Sequence, residues 1–518
     1  MSWEPEVDEI ALRRKLALEH AGSEGVARQH AAGRLAIRER IDELTDAGSF
    51  QEHGPIAGHA ETDAQGNLSS FTPANYVLGI AKLDGRPCVV GGEDFTQRGG
   101  SPSPAGLRKS VFAEELACRY RLPLVRLLEG AGGSLPRSDG PRPPVTVEPV
   151  NAPPRFASFV QTMAQVPVAS AALGAVAGFP AARLVASHFS IMTRETAQVM
   201  VGGPALVERA LGESISKDEL GGAQVHLRSG VVDNVADDEP GVFEQIRRFL
   251  SYLPTNVWQA APVQDPTDER TRRAEELIEI IPRERRRGYK MRHLIQLVLD
   301  RGSFFEIAPL YGSTQITGLA RLDGVPVGVL ANDPHFYAGA MTADGAQKVR
   351  RFIDLCDGFH LPIVSFVDEP GFMIGPAAEA AATIRHGTAT LFAVMQSTIP
   401  WASVIVRKVY GVAGAAHFGP GGHVLAWPSA ETGALPVEGG VAVAFRREIA
   451  AAPDPEAKRR ELEERLAQGR SAFPRAQAFG VSDLIDPRDT RPALCDWLDW
   501  VRPLLEQQRG PRSYTIRP

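Results

Sequence analysis

Two kinds of apolar pattern alternate along this chain. The short continuous runs LPLVRLLE (Leu122 to Glu129), LPIVSFVD (Leu361 to Asp368) and ASVIV (Ala402 to Val406) have the length of buried strands. Ahead of the first two runs, Leu107 to Tyr120 and Ala346 to Phe359 read as helices. Earlier still, Leu83-Asp84-Gly85 and Leu322-Asp323-Gly324 mark tight hairpin turns, and glycine-rich turns follow the strands. Strands alternating with helices predict a layered α/β domain, in which ligands bind beyond the carboxyl ends of strands.

The pattern is used twice. GIAKLDGRP (Gly79 to Pro87) recurs as GLARLDGVP (Gly318 to Pro326). The same shift carries Leu122-Pro123-Leu124-Val125 onto Leu361-Pro362-Ile363-Val364, Lys109 onto Lys348, Glu129 onto Asp368 and Gly132 onto Gly371. DAGSF (Asp46 to Phe50) returns as DRGSF (Asp300 to Phe304). This internal repeat predicts two α/β domains, 1–255 and 256–518, with the proline- and charge-rich Pro254 to Arg287 as the linker. Pro141 to Pro154 reads as an exposed loop, and Pro453 to Gln468, charged at helical spacing, as a surface helix.

Composition works mainly by exclusion. A chain of 518 residues, 43% hydrophobic and 23% charged with a net charge of −6, is globular and too long for one core. It has no basic block interleaved with aromatics and no apolar run of membrane-spanning length, so neither a nucleic acid nor a membrane partner is expected. The basic run RERRRGYK (Arg283 to Lys290) reads as a solvated linker face. Cys88, Cys118, Cys356 and Cys495 have no paired spacing and are expected to be reduced core residues of a cytoplasmic protein. His386, His417 and His423 fit no metal motif, so no metal is expected. GPGG (Gly419 to Gly422) lacks the Lys-Ser/Thr of a phosphate loop and reads as a turn.

The candidate chemistry lies in RKVYGVAGAA (Arg407 to Ala416), which follows the ASVIV strand, and in LGAVAGF (Leu173 to Phe179), of the same character in the other half. Small residues at a strand-to-helix turn let a ligand approach backbone N–H groups, as an oxyanion hole requires. Tight helix packing is the competing explanation of the same residues.

Further signatures carry a family resemblance. They are RERIDELTDAGSF (Arg38 to Phe50), EDFTQRGGS (Glu93 to Ser101), GGPALVERALGESISKDELGG (Gly202 to Gly222), RRGYKMR (Arg286 to Arg292), VDEPGFMIG (Val367 to Gly375), IRHG (Ile384 to Gly387), AWPSAE (Ala426 to Glu431) and DLIDPRDTRP (Asp483 to Pro492). In this order they resemble the carboxyltransferase (β) subunit of biotin-dependent acyl-CoA carboxylases, the propionyl-CoA and methylcrotonoyl-CoA carboxylase family. The resemblance implies two tandem crotonase-like (ClpP/crotonase) domains, a homo-hexamer, and active sites between domains of different subunits. It implies acyl-CoA as substrate, and biotin carried on a biotin carboxylase/biotin carboxyl carrier partner. No Met-Lys-Met biotinylation site or P-loop is present, so this chain is not expected to carboxylate biotin itself.

In that family CO2 passes from carboxybiotin to the α (or vinylogous γ) carbon of an acyl-CoA through two enolates. The reactants supply their own acid and base, so the protein supplies positioning and oxyanion stabilisation. The resemblance places one hole at Ala177, Gly178 and Phe179 and the other at Gly411, Val412 and Ala413. Gly132, Gly133, Arg407, Lys408, Tyr410, Gly414 and Ala415 are then candidate substrate-binding residues, with Arg407 and Lys408 either attracting CoA phosphates or serving structurally.

The chain departs from the family pattern at Phe179 and Val412, each in place of a second glycine, and at Glu129-Gly130-Ala131-Gly132-Gly133 with the following SLPR (Ser134 to Arg137). A side chain does not remove an amide N–H, so donors survive these changes. Ala415, where propionyl-type relatives commonly carry Asp, predicts room for acyl groups larger than acetyl, while Phe179 would narrow the pocket from the other domain. A malonyl-type-CoA decarboxylase running the transfer in reverse, and a non-catalytic scaffold for the biotin-bearing partner, stand as alternatives.

Overall fold

The computed structural model describes residues 2–19, 22–132, 156–266, 268–285, 287–468 and 471–513. Gly133, the SLPR segment and the proline-rich 141–154 segment lie outside these residues, as does Arg286.

Both hairpin signals form two-residue turns. Asp84 and Gly85, at φ 49° and 78°, join strands Tyr76–Leu83 and Arg86–Glu93. Asp323 and Gly324, at 51° and 74°, join Gln315–Leu322 and Val325–Asn332. Two successive left-handed residues match the twist of a hairpin, and Asp-Gly adopts them at low cost. The repeated Asp-Xaa-Gly-Ser motif clamps these turns. Asp46 accepts the Asp84 and Gly85 N–H groups at 2.9 and 2.8 Å, and Asp300 accepts those of Asp323 and Gly324 at 3.1 and 2.8 Å. The Ser49 and Ser303 hydroxyls accept from the Lys82 and Arg321 N–H groups, each at 3.0 Å.

The helix after each hairpin starts earlier than its apolar spacing suggests, at Pro104–Tyr120 and Ala343–Gly358, because Ser103 and Thr342 cap them. Their hydroxyls accept the Gly106 and Gly345 N–H groups at 3.0 Å each. The buried strands that follow, Leu124–Gly130 and Ile363–Glu369, begin just after Pro123 and Pro362.

Each half builds one eight-stranded sheet in the same spatial order. The first runs Gln51–Glu52, Tyr76–Leu83, Arg86–Glu93, Leu124–Gly130, Val168–Ala177, Phe189–Thr193, Asn234–Ala236, with Gln198–Met200 paired to the end of Val168–Ala177. The second runs Phe305–Ile307, Gln315–Leu322, Val325–Asn332, Ile363–Glu369, Trp401–Tyr410, His423–Ala426, Asp483–Leu484, with Glu431–Gly433 beside Trp401–Tyr410. In both, the pairings up to the hairpin are antiparallel and those beyond it parallel. The described chain divides into two compact units after Gln259.

A core of Ile316, Val327, Val364, Phe366, Val404 and Trp427, among others, fills the second sheet's inner face, and Leu128, Ala172, Val176, Leu184 and Met192 form a cluster in the first unit. The charged segment near the C-terminus forms helix Pro455–Gln468, anchored by fully buried Leu462 against Val437, Val441 and Ile449. No helix among the described residues is long and apolar enough to cross a membrane.

Candidate functional site

The two candidate turns have the same construction. Strand Val168–Ala177 ends at Gly178 (φ 65°) and enters helix Phe179–Val185; strand Trp401–Tyr410 ends at Gly411 (φ 63°) and enters the 3-10 turn Ala413–His417. A left-handed residue reverses the chain there, and glycine takes it without a Cβ clash. In both turns the glycine N–H is already committed. Gly178 donates to the Met200 carbonyl at 3.3 Å and Gly411 to that of Gly433 at 3.2 Å, on the short side strands. These glycines are pivots, and free donors must come from the residues after them.

The second unit has such donors. Among the described residues, the N–H groups of Val412, Ala413 and Gly414 have no protein acceptor, and the next amide, Ala415, closes onto the Val412 carbonyl at 3.1 Å. Val412 is 63% exposed and Ala413 fully buried, so the donor row runs from solvent into the protein. Gly414 has no room for a side chain: a Cβ would lie 2.8 Å from Val409 Cγ1. Ala415 is half-buried on the same turn.

The first unit differs in detail. Pro180 stands where the second unit has Ala413 and has no N–H to offer, and the Ala182 N–H returns to the Gly178 carbonyl at 3.1 Å. The Phe179 ring stacks on Phe159 at 5.6 Å, meets Phe156 edge-on at 6.1 Å and lies under the Arg183 guanidinium at 4.7 Å. This packing against helix Phe156–Met163 accounts for its bulk. Gly132 reaches the same turn: a Cβ on Gly178 would come within 3.1 Å of its Cα. In the second unit Gly371 holds the matching place, beside the Tyr410 carbonyl.

The other candidates have separate fates. Arg407 is buried, and its guanidinium donates to the carbonyls of Arg287 (2.8 Å), Glu284 (2.9 Å) and Arg285. The geometry thus favours its structural use, and the 283–290 run is partly a clasp around it. Tyr410 is also buried, its hydroxyl donating to Glu431 at 2.8 Å while Arg285 pairs with the same carboxylate at 2.7 Å. Burial, with Glu431 close by, pushes its phenol up to about 12. Lys408 is half-buried, and its ammonium has no ion pair within 4 Å among the described residues.

Sequence reasoning missed the groups beneath this turn. Fully buried Asp368 accepts from the Tyr289 hydroxyl and the Lys408 N–H, each at 3.1 Å. Burial raises its carboxyl above the ordinary value, opposed by the Lys408 and Arg407 charges. Its repeat counterpart Glu129 instead pairs directly with Arg34 and Arg40, at 2.9 and 2.6 Å. The pairing of Glu129 with Asp368 across the repeat was the available signal. A cavity of about 430 Å³ in the second unit is lined by Leu277, Ile281, Arg283, Arg285, Arg407 and Glu431, among others, but not by the donor turn. Among the described residues no cluster of three His, Cys, Asp or Glu is arranged to hold a metal.

Comparison with known proteins places this geometry in a family. The carboxyl transferase domain family matches residues 28–501. The chain is 34% identical over 497 residues to the propionyl-CoA carboxylase carboxyltransferase subunit of Haloferax mediterranei, covering 95% of each chain. It is 32% identical over 513 residues to the methylmalonyl-CoA decarboxylase subunit alpha of Veillonella parvula, covering 97% of each. Among solved structures, transcarboxylase 12S with methylmalonyl-coenzyme A and methylmalonic acid bound, described as a hexamer assembly, superposes with a TM-score of 0.86 at 29% identity, covering 100% of this chain and 98% of that one. A single-chain, multi-domain long-chain acyl-CoA carboxylase superposes with a TM-score of 0.80 at 29% identity over 96% of this chain and 48% of that one. With the duplicated sheets, these neighbours establish two tandem crotonase-like domains. The chain therefore belongs to the carboxyl transferase family of the biotin-dependent acyl-CoA carboxylases.

Proposed function

We propose that this chain moves a carboxyl group between biotin on a separate subunit and the α carbon of an acyl-CoA larger than acetyl. The observation that carries the reading is the row of N–H groups at Val412, Ala413 and Gly414 without acceptors among the described residues, held on the Gly411 pivot. Biotin supplies the carboxyl group and takes the α-proton, so no side chain need act as acid or base. The second-unit amides are suited to hold the oxygen on which charge develops, at roughly 3 kcal/mol per donor in a site closed to water. The first-unit turn at Ala177, Gly178 and Phe179, backed by Gly132, is the matching element for the second oxyanion, with Gly178 as its pivot and not a donor, since its N–H is taken by the Met200 carbonyl. Lys408, free of ion pairs among the described residues and beside the donor turn, is the residue proposed to meet the anionic parts of the CoA. Similarity to a hexameric transcarboxylase core supports a hexamer for this chain as well.

Likeness to a methylmalonyl-CoA decarboxylase subunit favours a second reading, the same transfer run toward biotin. Reconstitution with a biotin carboxylase/biotin carboxyl carrier subunit separates the two. Carboxylation of an acyl-CoA that depends on ATP and bicarbonate supports the forward direction. Decarboxylation of a malonyl-type CoA that loads biotin without ATP supports the reverse, and neither activity would overturn both.

A further inference from the structure

We infer that Glu369 and His417 are positioning residues for the amide donors of the second unit, an inference that rests on the transfer reading above. Glu369 ends strand Ile363–Glu369 and is fully buried. One carboxylate oxygen accepts the Gly371 N–H at 3.0 Å and the Met341 N–H at 3.2 Å. The other accepts Asn332 Nδ2 at 3.0 Å and Gln315 Nε2 at 3.3 Å, and lies 3.4 Å from His417 Nε2. No Lys or Arg lies within ion-pair range of it among the described residues. A buried carboxylate of this kind is stabilised only by the groups that point at it, so it fixes their positions in return.

His417 closes the 3-10 turn that begins at Ala413 and is itself fully buried. Its Nδ1 meets the Ser365 hydroxyl at 3.0 Å, and its carbonyl accepts from the Ser403 hydroxyl at 2.6 Å. Ser365 and Ser403 are register partners on adjacent strands. The donor turn is thus stitched at its far end to two strands and to the carboxylate that also holds the Gly371 turn.

The first unit lacks the carboxylate, the histidine and the first hydroxyl of this device, and keeps Ser170 at the place of Ser403. In its repeat positions stand Gly130 for Glu369 and Arg126 for Ser365, with Leu184 as far beyond Gly178 as His417 is beyond Gly411. Ser170, the register partner of Arg126, has a buried hydroxyl with no partner among the described residues. A polar tie present in only one copy, under the copy with three open donors, is not required to make the fold. Its specific consequence is to hold those N–H directions, because a displacement near 1 Å costs about a hundredfold in rate.

The test uses the chain assembled with its biotin-bearing partner. His417→Leu, the first-unit counterpart, is expected to lower kcat by roughly ten- to a hundredfold with KM for acyl-CoA changed less than about threefold. Hydrogen exchange at Ala415 to Phe418 should accelerate by about tenfold or more while peptides over 178–185 are unchanged. His417→Gln, which keeps a donor toward Glu369, should recover most of kcat. Should His417→Leu fail to fold, Ser403→Ala removes only the hydroxyl on the His417 carbonyl and is expected to change the same two readouts in the same direction. Unchanged kcat with reduced thermal stability, a rise in KM alone, or equal exchange in both turns would overturn the inference. If the wild type transfers no carboxyl group, the transfer reading fails, while the contrast in exchange still decides the positioning claim.

Discussion

Ala413→Pro removes one of the three open amide donors and adds no polar group. The backbone can accept it: Pro180 occupies the same place in the first unit, and position 413 opens a helical turn, where proline is tolerated. Two costs oppose this. Val412 sits at φ −71° and ψ −35°, a region disfavoured before proline, and fully buried Ala413 must admit extra carbons, at roughly 1–3 kcal/mol of stability. Ala413→Val is therefore the control, since it adds the same carbons and keeps the N–H. Losing one oxyanion donor costs about 3–4 kcal/mol of transition-state stabilisation, or roughly a hundred- to a thousandfold in kcat. Both variants should lose thermal stability, the proline variant more, by the strain at Val412 that valine does not impose. In the assay, labelled bicarbonate is transferred to acyl-CoA by the complex assembled with the biotin-bearing partner. The proline variant is expected to fall at least a hundredfold, the valine variant about fivefold or less, and Val412→Gly, which alters a largely exposed side chain, about threefold or less. A folded proline variant with near-normal kcat, or a valine variant as impaired as the proline one, would refute the backbone-donor reasoning.

Ala415→Asp should shift kcat/KM toward shorter acyl groups, whereas the wild type should favour a substrate two carbons longer by roughly tenfold, at about 0.8 kcal/mol per buried methylene; an unchanged chain-length profile counts against it. Asp300→Ala should destabilise more than Asp46→Ala in urea unfolding, by roughly 3–5 against 1–2 kcal/mol, because Asp300 also neutralises buried Arg491 at 2.8 Å; equal losses would contradict the buried-pair assignment. The isolated chain with ATP, bicarbonate and acyl-CoA should fix no carbon until the partner is added, and ATP-dependent carboxylation by the pure chain would be decisive against a separate biotin-bearing subunit.

Local turn chemistry made much of the fold legible. Leu-Asp-Gly and Asp-Xaa-Gly-Ser need only their neighbours to form a clamped hairpin, so the repeat could be read before any strand was paired. Helix starts were less legible, because Ser103 and Thr342 lie outside the apolar spacing that marks the helices. At the donor turns, small residues identified the location but not which amides are open. That depends on the short side strands ending at Met200 and Gly433, whose carbonyls take the glycine N–H groups. In the sequence Arg407 reads equally as a phosphate ligand or a structural residue, and its clasp is visible only once the Glu284, Arg285 and Arg287 carbonyls are folded around it. Glu369 and His417 are far apart in the chain, and a comparison of the two copies, Gly130 and Leu184 against Glu369 and His417, was the signal that could have joined them.

Carboxyl exchange between two CoA esters tests the central claim most directly, because it needs neither ATP nor the carboxylase partner. The chain is incubated with free biotin, a malonyl-type CoA labelled in its carboxyl group and an unlabelled acyl-CoA longer than acetyl. Label is expected to appear in the carboxylated acyl-CoA, to depend on biotin, and to fall at least about a hundredfold in Ala413→Pro. Folded wild-type chain that moves no label with any acyl-CoA in the series, or moves it equally well without biotin, would contradict a biotin-linked carboxyltransferase acting through these backbone donors.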